Sequence, residues 1–506
     1  MKATAEQELF YSALTTTNES LLLNAVAGSG KTTTIMGGLE RFTVLPKTLL
    51  LAFNAKIKEE LSRRAPSEVT TLTLNGLGHR AWTKHLGKKV VLDSKKVGTI
   101  VSSLCKGVTK EETAELSALW PDIKDLVNKA KATGLLHKAF LSSGKGLLED
   151  TDENWKTLAR LHGIEFNPTI LRLARKALET NIRLGLQGTI DFDDQLYLPT
   201  IFGSAFEKYD LVIIDEAQDL SEIQHHIISK CISKSGRIVI VGDPHQAIYG
   251  FRGAKADSME LLATMFSPRE LTLSYTFRCS KAATAKAQGF VPHIKASEAN
   301  LAGSIEYLDD KWEASDIAAG SVVLCRNIAP LVKLGLKCIR AGISCYIAGK
   351  DIGKPIIKAC KQLSQGQNLH DCIIAWGRLE RQGAKGNLET LNMINETVDT
   401  LLAVIEVSDC RTTGQLEETL KSLFSKQDGS ITLSTIHRAK GLEWSHVYIL
   451  DYWRIPQKWI TRIIEDNPDA SWMLEQENNL AYIAITRTKD KLTFINFPRK
   501  DDTYGH

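Results

Sequence analysis

The stretch Leu21–Thr34, LLLNAVAGSGKTTT, carries residues whose types and spacing suit the binding of a phosphate group. An apolar run breaks into a glycine-rich turn and then into a helix-compatible stretch, which predicts a strand, a loop and a helix. In such a loop Gly28 and Gly30 let consecutive backbone N–H groups surround a phosphate, and the helix N-terminus adds its positive dipole end. The stretch therefore predicts a phosphate-binding loop.

Two residues at the end of this turn predict how a nucleotide would be held. Lys31 would reach the β- and γ-phosphates, and the hydroxyl of Thr32 would bind Mg²⁺. The usual first glycine of the pattern is Ala25 here, which keeps a small residue. A glycine-rich turn that binds nothing is the alternative interpretation.

Acidic and amide side chains follow two further apolar runs. Tyr209–Asp219, YDLVIIDEAQD, places Asp215 and Glu216 at the carboxyl end of a buried strand. Asp215 would hold Mg²⁺ through water, and Glu216 would orient and deprotonate an attacking water, unless the pair is only an acidic turn. Arg237–Ala254, RIVIVGDPHQAIYGFRGA, repeats the design, and its Gln246 would report on the γ-phosphate.

The same Arg237–Ala254 run contains two aromatic residues next to a cation. Tyr249, Phe251 and Arg252 have the composition of a stacking platform for the bases of a single strand. Buried aromatic residues of a core are the alternative interpretation.

Three side chains elsewhere in the chain would complete a nucleotide site. The Gln7 amide suits the adenine edge, although its spacing from Thr4 also predicts a helix capping box. Arg278 and Arg487 would stabilise charge on a transferring phosphoryl group, or form surface ion pairs.

Composition limits the possible classes of protein. A chain of 506 residues predicts several domains, and 43% hydrophobic with 24% charged residues is typical of a soluble protein. The net charge of +4 means that any nucleic-acid site must be local. Nine cysteines without a CxxC pair predict reduced thiols in the cytoplasm. The sequence has no long apolar run, so we expect neither secretion nor a membrane partner.

The predicted elements place these side chains at strand ends. Thr48–Phe53 and Val69–Leu74 are strand candidates, so that Asn54 and Asn75 fall where ligands of open parallel sheets bind. Six strand candidates follow Ser280: Ser304–Leu308, Ser321–Cys325, Cys345–Ala348, Ile431–Thr435, His446–Leu450 and Lys491–Asn496.

Two stretches of helical spacing interrupt the strands, Asp93–Leu186 and Gly353–Ser425. We interpret both as helical insertions. Five lysines of the first would form a solvated helix face or touch a nucleic-acid backbone: Lys124, Lys129, Lys131, Lys138 and Lys145.

The ordered motifs together resemble the UvrD/Rep/PcrA family of superfamily 1 DNA helicases. They are AVAGSGKT, AFNAK, DFDD (Asp191–Asp194), IIDEAQD, VGDPHQAIYGFRGA, LSYTFRC, STIHRAKGLEW (Ser434–Trp444) and ENNLAYIAITRTKDKL (Glu477–Leu492). The resemblance implies an α/β fold of two RecA-like P-loop domains with parallel sheets, each carrying a helical insertion, with ATP and Mg²⁺ as cofactors.

The resemblance also predicts domain bounds. The first RecA-like, ATP-binding domain would comprise 1–92 and 188–276, interrupted by a helical insertion at 93–187. The second RecA-like domain would comprise 277–352 and 428–498, interrupted by a short helical insertion at 353–427, and 499–506 would be a tail. The short distance between Arg278 and Ile431 predicts a trimmed second insertion, which puts autoinhibition through it in doubt.

By resemblance, the site residues have assigned roles. Glu216, Lys31, Gln246, Arg278 and Arg487 act in hydrolysis, and Thr32 and Asp215 hold the metal. ATP is bound by Gln7, Ala27, Gly28, Ser29, Gly30, Lys31, Thr32, Thr33, Phe277 (as adenine stacker in place of Tyr275) and Glu443 (beside the sugar). DNA is bound by Phe53, Asn54, Asn75 (where the family often has histidine), Tyr249, Phe251, Arg252, Arg326 and His437 (coupling ATP state to DNA).

The predicted function is therefore an ATP-dependent DNA helicase that moves 3′ to 5′ on single-stranded DNA and unwinds duplexes in repair, recombination or replication. Its partners would be single-stranded DNA, single-strand/duplex junctions, and replication or repair proteins. The alternatives are a translocase that strips bound proteins with little unwinding, and an ATP-gated DNA-binding subunit of a larger complex.

Overall fold

The computed structural model describes residues 3–107, 109–162, 164, 166–248, 258–309, 311–364, 368–384, 388–425, 428–466 and 471–498. The predicted tail 499–506 lies outside these residues. The chain divides into two compact units, of which the first comprises Met1–Ala25, Gly30–Leu273 and Gly383–Thr390, and the second Val26–Ser29, Ser274–Gln382 and Leu391–His506. The predicted class, α/β with parallel sheets in two domains, is confirmed.

A six-stranded parallel sheet of order β10-β1-β9-β8-β2-β3 organises the first unit. The strands up to Leu273 are β1 (Leu21–Ala25), β2 (Thr48–Ala52), β3 (Thr70–Thr73), β4 (Val91–Leu92), β5 (Leu135–Leu136), β6 (Leu148–Glu149), β7 (Thr189–Ile190), β8 (Tyr209–Ile214), β9 (Ile232–Gly242) and β10 (Arg269–Leu273). The short strands pair as β4-β7 and β5-β6.

The first unit contains twelve helices within its described residues up to Leu273, and apolar cores lie on both faces of the sheet. The helices are α1 (Ala5–Thr16), α2 (Lys31–Leu39), α3 (Ala55–Arg64), α4 (Leu74–Leu86), α5 (Lys96–Leu104), α6 (Lys110–Ala118), α7 (Trp120–Ala132), α8 (Asp152–Leu161), α9 (Pro168–Leu186), α10 (Asp194–Ile201), α11 (Glu222–Cys231) and α12 (Ser258–Phe266). Leu21 and Leu23 pack in one core with Phe10 and Ile35, whereas Leu22 packs in the core on the opposite face. Burial on both faces explains why the central strands are continuous apolar runs.

Local sequence signals explain where several helices begin. Asn167 accepts a hydrogen bond from the backbone N–H of Ile170 at 2.9 Å, and Pro168 occupies the first position of α9. The capping box predicted between Thr4 and Gln7 is present at the start of α1. These ends are fixed by side chains within one turn.

The second unit contains another six-stranded parallel sheet, of order β13-β18-β17-β14-β16-β15. Its strands and a short pair (β11-β12) are β11 (Tyr275–Thr276), β12 (Lys295–Ala296), β13 (Ser304–Tyr307), β14 (Val322–Cys325), β15 (Cys345–Ile347), β16 (Ile431–Thr435), β17 (Trp444–Leu450) and β18 (Thr488–Ile495). All six strand candidates after Ser280 are present.

The helices after Leu273 include the second predicted insertion. They are α13 (Lys281–Ala287), α14 (Ile328–Arg340), α15 (Lys350–Gln362), α16 (Leu369–Ala384), α17 (Leu388–Val407), α18 (Thr413–Ser425), α19 (Ile436–Ala439), α20 (Lys458–Asp466) and α21 (Trp472–Thr486). Within the chain that the model describes, no helix is both long and apolar enough to cross a membrane.

Two lysines expected on a solvated or nucleic-acid-binding helix face are buried instead, so that prediction was wrong for Lys129 and Lys131. The Lys131 ammonium lies 2.6 Å from Asp191 and 2.9 Å from Asp194, and Lys96 lies 2.6 Å from Asp194. Burial would lower the pKa of Lys131, but the charges of Asp194 and Asp191 outweigh it and raise that pKa. The cluster ties helices α5 and α7, which lie in the first predicted insertion, to the DFDD segment.

Replacing Lys131 with alanine should destabilise this region strongly, because it leaves two buried carboxylates short of a cation. Breaking a buried ion pair costs about 3–5 kcal/mol, whereas Lys138→Ala on the exposed surface should stay within about 0.5 kcal/mol. Hydrogen exchange of the amides of α7 and α10 measures the effect. Equal exchange in the two variants would contradict a stabilising role for the cluster.

Candidate functional site

The carboxyl edge of the first-unit sheet collects predicted residues from several strands. Because all strands are parallel, their carboxyl ends meet at one edge. The loop Val26–Gly30 follows β1, Phe53 and Asn54 follow β2, Asn75 follows β3 closely, Asp215 and Glu216 follow β8, and Asp243 and Gln246 follow β9. The sheet thus brings together residues that are far apart in the chain.

The predicted phosphate loop has the backbone that its glycines allow. Gly28 and Gly30 have φ of 73° and 79°, in the left-handed region that side chains disfavour. The N–H of Ser29 donates to the carbonyl of Val26 at 3.2 Å, and Gly30 is the N-cap of α2. Lys31 is therefore the first residue of the helix, where positive dipole and free N–H groups suit an anion.

The apex of the loop, Val26–Ser29, is grouped with the second unit and hydrogen-bonds within it. The N–H of Ala27 donates to the Tyr482 hydroxyl at 3.0 Å, and the N–H of Phe277 donates to the Gly28 carbonyl at 2.8 Å. The buried hydroxyl of Ser29 has no hydrogen-bond partner among the residues that the model describes. An orphaned polar atom at this point fits a loop that is completed by a ligand.

The two predicted metal ligands lie next to each other. The Thr32 hydroxyl donates to Oδ2 of Asp215 at 3.4 Å, and the Asp215 side chain is buried. Burial and the nearby charge of Glu216 raise the pKa of Asp215 to about 7, which the charge of Lys31 opposes. Hydroxyl and carboxylate oxygens suit Mg²⁺, which keeps several waters and needs few protein ligands. No larger cluster of His, Cys, Asp or Glu in the described ranges could hold a metal.

Glu216 lies in a turn held by an amide that sequence reasoning missed. Its backbone is left-handed, with φ of 56°, at the end of β8. The Gln218 side chain donates to Oε2 of Glu216 and accepts from the N–H of Asp243 at 3.1 Å. Gln246 donates to Oδ2 of Asp243 at 2.6 Å. The only signal in the sequence is the amide between two acidic residues in IIDEAQD.

The Gln7 amide makes two hydrogen bonds within the first unit. Its carbonyl oxygen accepts from the N–H of Thr4 at 3.0 Å, and its amino group donates to the Thr34 hydroxyl at 2.9 Å. It thereby links the start of α1 to the helix that follows the phosphate loop. Adenine recognition by Gln7 stays a prediction.

The predicted DNA residues of the first unit differ in their surroundings. The Phe53 side chain is 40% exposed. Asn54 is the N-cap of α3 and accepts from the N–H of Ile57 at 2.9 Å, while the Asn75 amide donates to the carbonyl of Phe192 at 2.9 Å. The predicted DNA contacts Tyr249, Phe251 and Arg252 lie outside the described residues.

Predicted nucleotide residues of the second unit gather at the amino edge of its sheet, where β17 and β18 begin. Glu443 accepts from Arg278 at 2.5 Å and from Lys489, which the sequence analysis missed, at 2.7 Å. Burial would raise the pKa of Glu443, but Lys489 and Arg278 outweigh it and hold that pKa below its usual range. Two predicted residues, Arg278 and Glu443, are thus an ion pair in this structure.

Arg487 is nearby and almost fully buried. Its guanidinium donates to the carbonyls of Ile483 and Leu442, each at 3.2 Å, and its own carbonyl accepts from the N–H of Trp444 at 3.0 Å. These bonds fix its side chain beside the segment that carries Glu443.

The other edge of the second sheet carries the predicted DNA residues of this unit. Arg326 directly follows β14, and His437 lies in the short helix after β16. The Arg326 guanidinium lies 2.8 Å from Glu477, with only 16% of its side chain exposed. A contact between Arg326 and DNA stays a prediction.

Two family models match the chain. The UvrD/REP helicase N-terminal domain matches residues 6–267, and the UvrD-like helicase C-terminal domain matches residues 356–498. The first match alone covers half of the chain.

Curated proteins named DNA helicases are similar to the chain. F-box DNA helicase protein 1 of Schizosaccharomyces pombe is 25% identical over 97% of this chain and 57% of the relative, and F-box DNA helicase 1 of Gallus gallus is 24% identical over 97% and 48%. The ATP-dependent DNA helicase srs2 of S. pombe is 28% identical over 38% of this chain and 20% of the relative. The chain spans about half the length of the curated relatives that it matches along most of its length.

Substitutions of Asn54 should separate its capping from its predicted DNA contact. Asn54→Ala removes the cap of α3 and should cost about 1 kcal/mol, whereas Asn54→Asp keeps an N-cap oxygen and the stability. The new charge of Asn54→Asp should nevertheless weaken single-stranded DNA binding roughly ten-fold at low salt, by repulsion of phosphates. Thermal melting and fluorescence anisotropy measure the two effects; an aspartate variant that binds like wild type would contradict the DNA contact.

Proposed function

The chain belongs to the UvrD/Rep helicase family, and on that basis we propose that it is an ATP-dependent DNA helicase that moves along single-stranded DNA. The observation that carries the proposal is the geometry of the first-unit sheet edge. There the Thr32 hydroxyl meets Asp215 at 3.4 Å, directly after a loop with the backbone of a phosphate cradle and beside Glu216. Strand ends of the same sheet present Phe53 and Asn54.

We assign ATP binding to the loop and its neighbours. The backbone of Ala27–Thr33, with Gly28, Ser29 and Gly30 at its centre, would surround the phosphates, and the Lys31 ammonium would neutralise their charge. Gln7, Phe277 and Glu443 would contact the adenine and the sugar, as the family resemblance implies.

Thr32 and Asp215 are the residues that would hold Mg²⁺. A bound Mg²⁺ supplies charge neutralisation at the phosphates. The charge of such an ion would also keep the Asp215 carboxylate ionised despite its burial.

For hydrolysis, a water attacks the γ-phosphorus, the bond to the ADP oxygen breaks, and the Glu216 carboxylate takes the proton of the water. Gln246 would contact the γ-phosphate. Arg278 and Arg487 would stabilise the charge that develops on the transferring group.

The DNA side of the proposal rests on stacking and backbone contacts. Phe53 would stack on a base with Tyr249 and Phe251, while Asn54, Asn75, Arg252, Arg326 and His437 would contact the strand. Stacking contributes about 1–3 kcal/mol per base and tolerates any sequence, so the protein should bind single strands and junctions without reading sequence. A 3′ to 5′ direction, and partners in replication, repair or recombination, follow from the family resemblance.

Glu216→Gln should abolish ATP hydrolysis stimulated by single-stranded DNA while retaining ATP binding, because the isosteric amide cannot accept the proton. Hydrolysis and equilibrium binding of a fluorescent ATP analogue measure the two properties. Strand displacement by the wild type, on duplexes with a 3′ or a 5′ tail, tests unwinding and direction.

The outcomes separate the alternatives. If the wild type shows no ATP hydrolysis stimulated by single-stranded DNA, the helicase and the translocase are both excluded. The ATP-gated DNA-binding subunit then remains as the interpretation. Hydrolysis without displacement would favour the translocase that strips proteins. Displacement only from 5′ tails would contradict the proposed direction.

Phe53→Ala should weaken single-stranded DNA binding by roughly ten-fold and reduce DNA-stimulated hydrolysis more than basal hydrolysis, because a stacking platform is lost. Val44→Ala is the control, since Val44 is 83% exposed and precedes β2, at the opposite edge of the sheet. Titration of DNA into an ATPase assay measures both. An equal loss of basal and stimulated hydrolysis would show that Phe53 serves only folding.

A further inference from the structure

We propose that Gln218 is the positioning residue of the proposed general base: its amide fixes the Glu216 carboxylate and joins it to Asp243. This inference rests on the proposed ATP hydrolysis and names a residue to which neither the sequence motifs nor the family resemblance gave a role.

The backbone of Glu216 needs such support. Among the described residues, Glu216, Ser267 and Asp451 are the non-glycine residues with positive φ. A left-handed residue other than glycine costs of order 1–3 kcal/mol and persists only where its surroundings hold it. The backbone strain thus lies at Glu216, whose carboxylate must point at the attacking water if it acts as the proposed base.

Both the amino group and the oxygen of the Gln218 amide make hydrogen bonds. Gln218 is only 1% exposed, its amino group donates to Oε2 of Glu216, and its oxygen accepts from the N–H of Asp243 at 3.1 Å. A side-chain amide is both a donor and an acceptor, whereas an ionised carboxylate only accepts. The identity of the residue therefore matters, beyond its size.

The end of β9 leaves room for this amide. A Cβ on Gly242 would lie 2.5 Å from the Gln218 oxygen and 2.7 Å from the sulfur of Met259. Both distances are shorter than real contacts allow. The glycine at this position thus preserves the space that the Gln218 side chain occupies.

The connection continues to the predicted γ-phosphate sensor. Asp243 accepts from Gln246 at 2.6 Å, so that one series of hydrogen bonds runs from Gln246 through Asp243 and Gln218 to Glu216. Such networks rigidify their members when each is satisfied. We infer that the proposed base and the proposed sensor move as one group.

The test compares Gln218→Glu and Gln218→Ala with the control Gln224→Ala. Gln218→Glu keeps the shape and the acceptor for Asp243, but removes the donor and places a like charge beside Glu216. Both Gln218 variants should lower kcat for DNA-stimulated ATP hydrolysis by roughly 10- to 100-fold, with KM for ATP and ATP binding within about three-fold of wild type. Gln224, which caps α11 through the N–H of Ser221, should leave kcat unchanged.

A double-variant cycle distinguishes positioning from folding. If Gln218 acts through Glu216, Gln218→Ala should cause little further loss of kcat in a Glu216→Asp background, which keeps a carboxylate base and a measurable rate but shortens the side chain that Gln218 holds. Full additivity of the two losses, or a Gln218→Glu variant with wild-type kcat, would overturn the inference.

A failure of this inference differs from a failure of the proposed function. If the wild type hydrolyses ATP and the Gln218 variants equal it, only the positioning role is wrong. If the wild type does not hydrolyse ATP with single-stranded DNA, the proposed function and the positioning role are both wrong.

Discussion

The parallel pairing of β1 with β9, and of β9 with β8, is the constraint on which the candidate site depends. Leu23 lies opposite Val241, and Ile213 lies opposite Val239. Thr32 and Asp215, separated by 183 positions in the chain, meet only because these registers bring the ends of β1 and β8 to one level. A shift of one residue would move a strand end by about 3.3 Å, which exceeds the tolerance of a hydrogen bond or of a metal site.

In the second sheet, the residues predicted to contact the nucleotide and those predicted to contact DNA lie at opposite edges. Glu443 and Arg487 lie where β17 and β18 begin, whereas Arg326 and His437 follow the carboxyl ends of β14 and β16. The intervening strands are buried apolar runs, as in Val322–Cys325. A closely packed sheet transmits displacement with little compression. A shift imposed at the edge with Glu443 would therefore be transmitted to the edge with Arg326, as the proposed movement along DNA requires.

The parts that sequence could predict are those fixed by neighbours in the chain or by continuous apolar runs. The phosphate loop, the capping box of Gln7 and the buried strands belong to this group. Strand β10, at the sheet edge, was not predicted, because RELTL is short and has no continuous apolar run; only Leu271 and Leu273 are buried. Lys131, Gln218 and Lys489 were missed or misread because their partners are fixed by the fold rather than by neighbouring residues. Hydrophobic periodicity does not reveal a buried lysine whose carboxylate partners lie about 60 positions away in the chain, as Asp191 and Asp194 do for Lys131.

Glu443 has two cationic partners, which bears on the catalytic role that we propose for Arg278. Removing one partner from an ion pair leaves the remaining charge without its counterion, at a cost that solvent reduces where the pair is partly exposed, as it is at Glu443. Here Lys489 lies 2.7 Å from Oε1, while Arg278 uses Oε2. If Arg278 moved to a phosphate, as its proposed role requires, Glu443 would keep Lys489 as a cation, and Arg278 would replace one charge-assisted hydrogen bond with another. The missed lysine is thus what makes the observed Arg278–Glu443 pair compatible with the proposed role of Arg278 in hydrolysis.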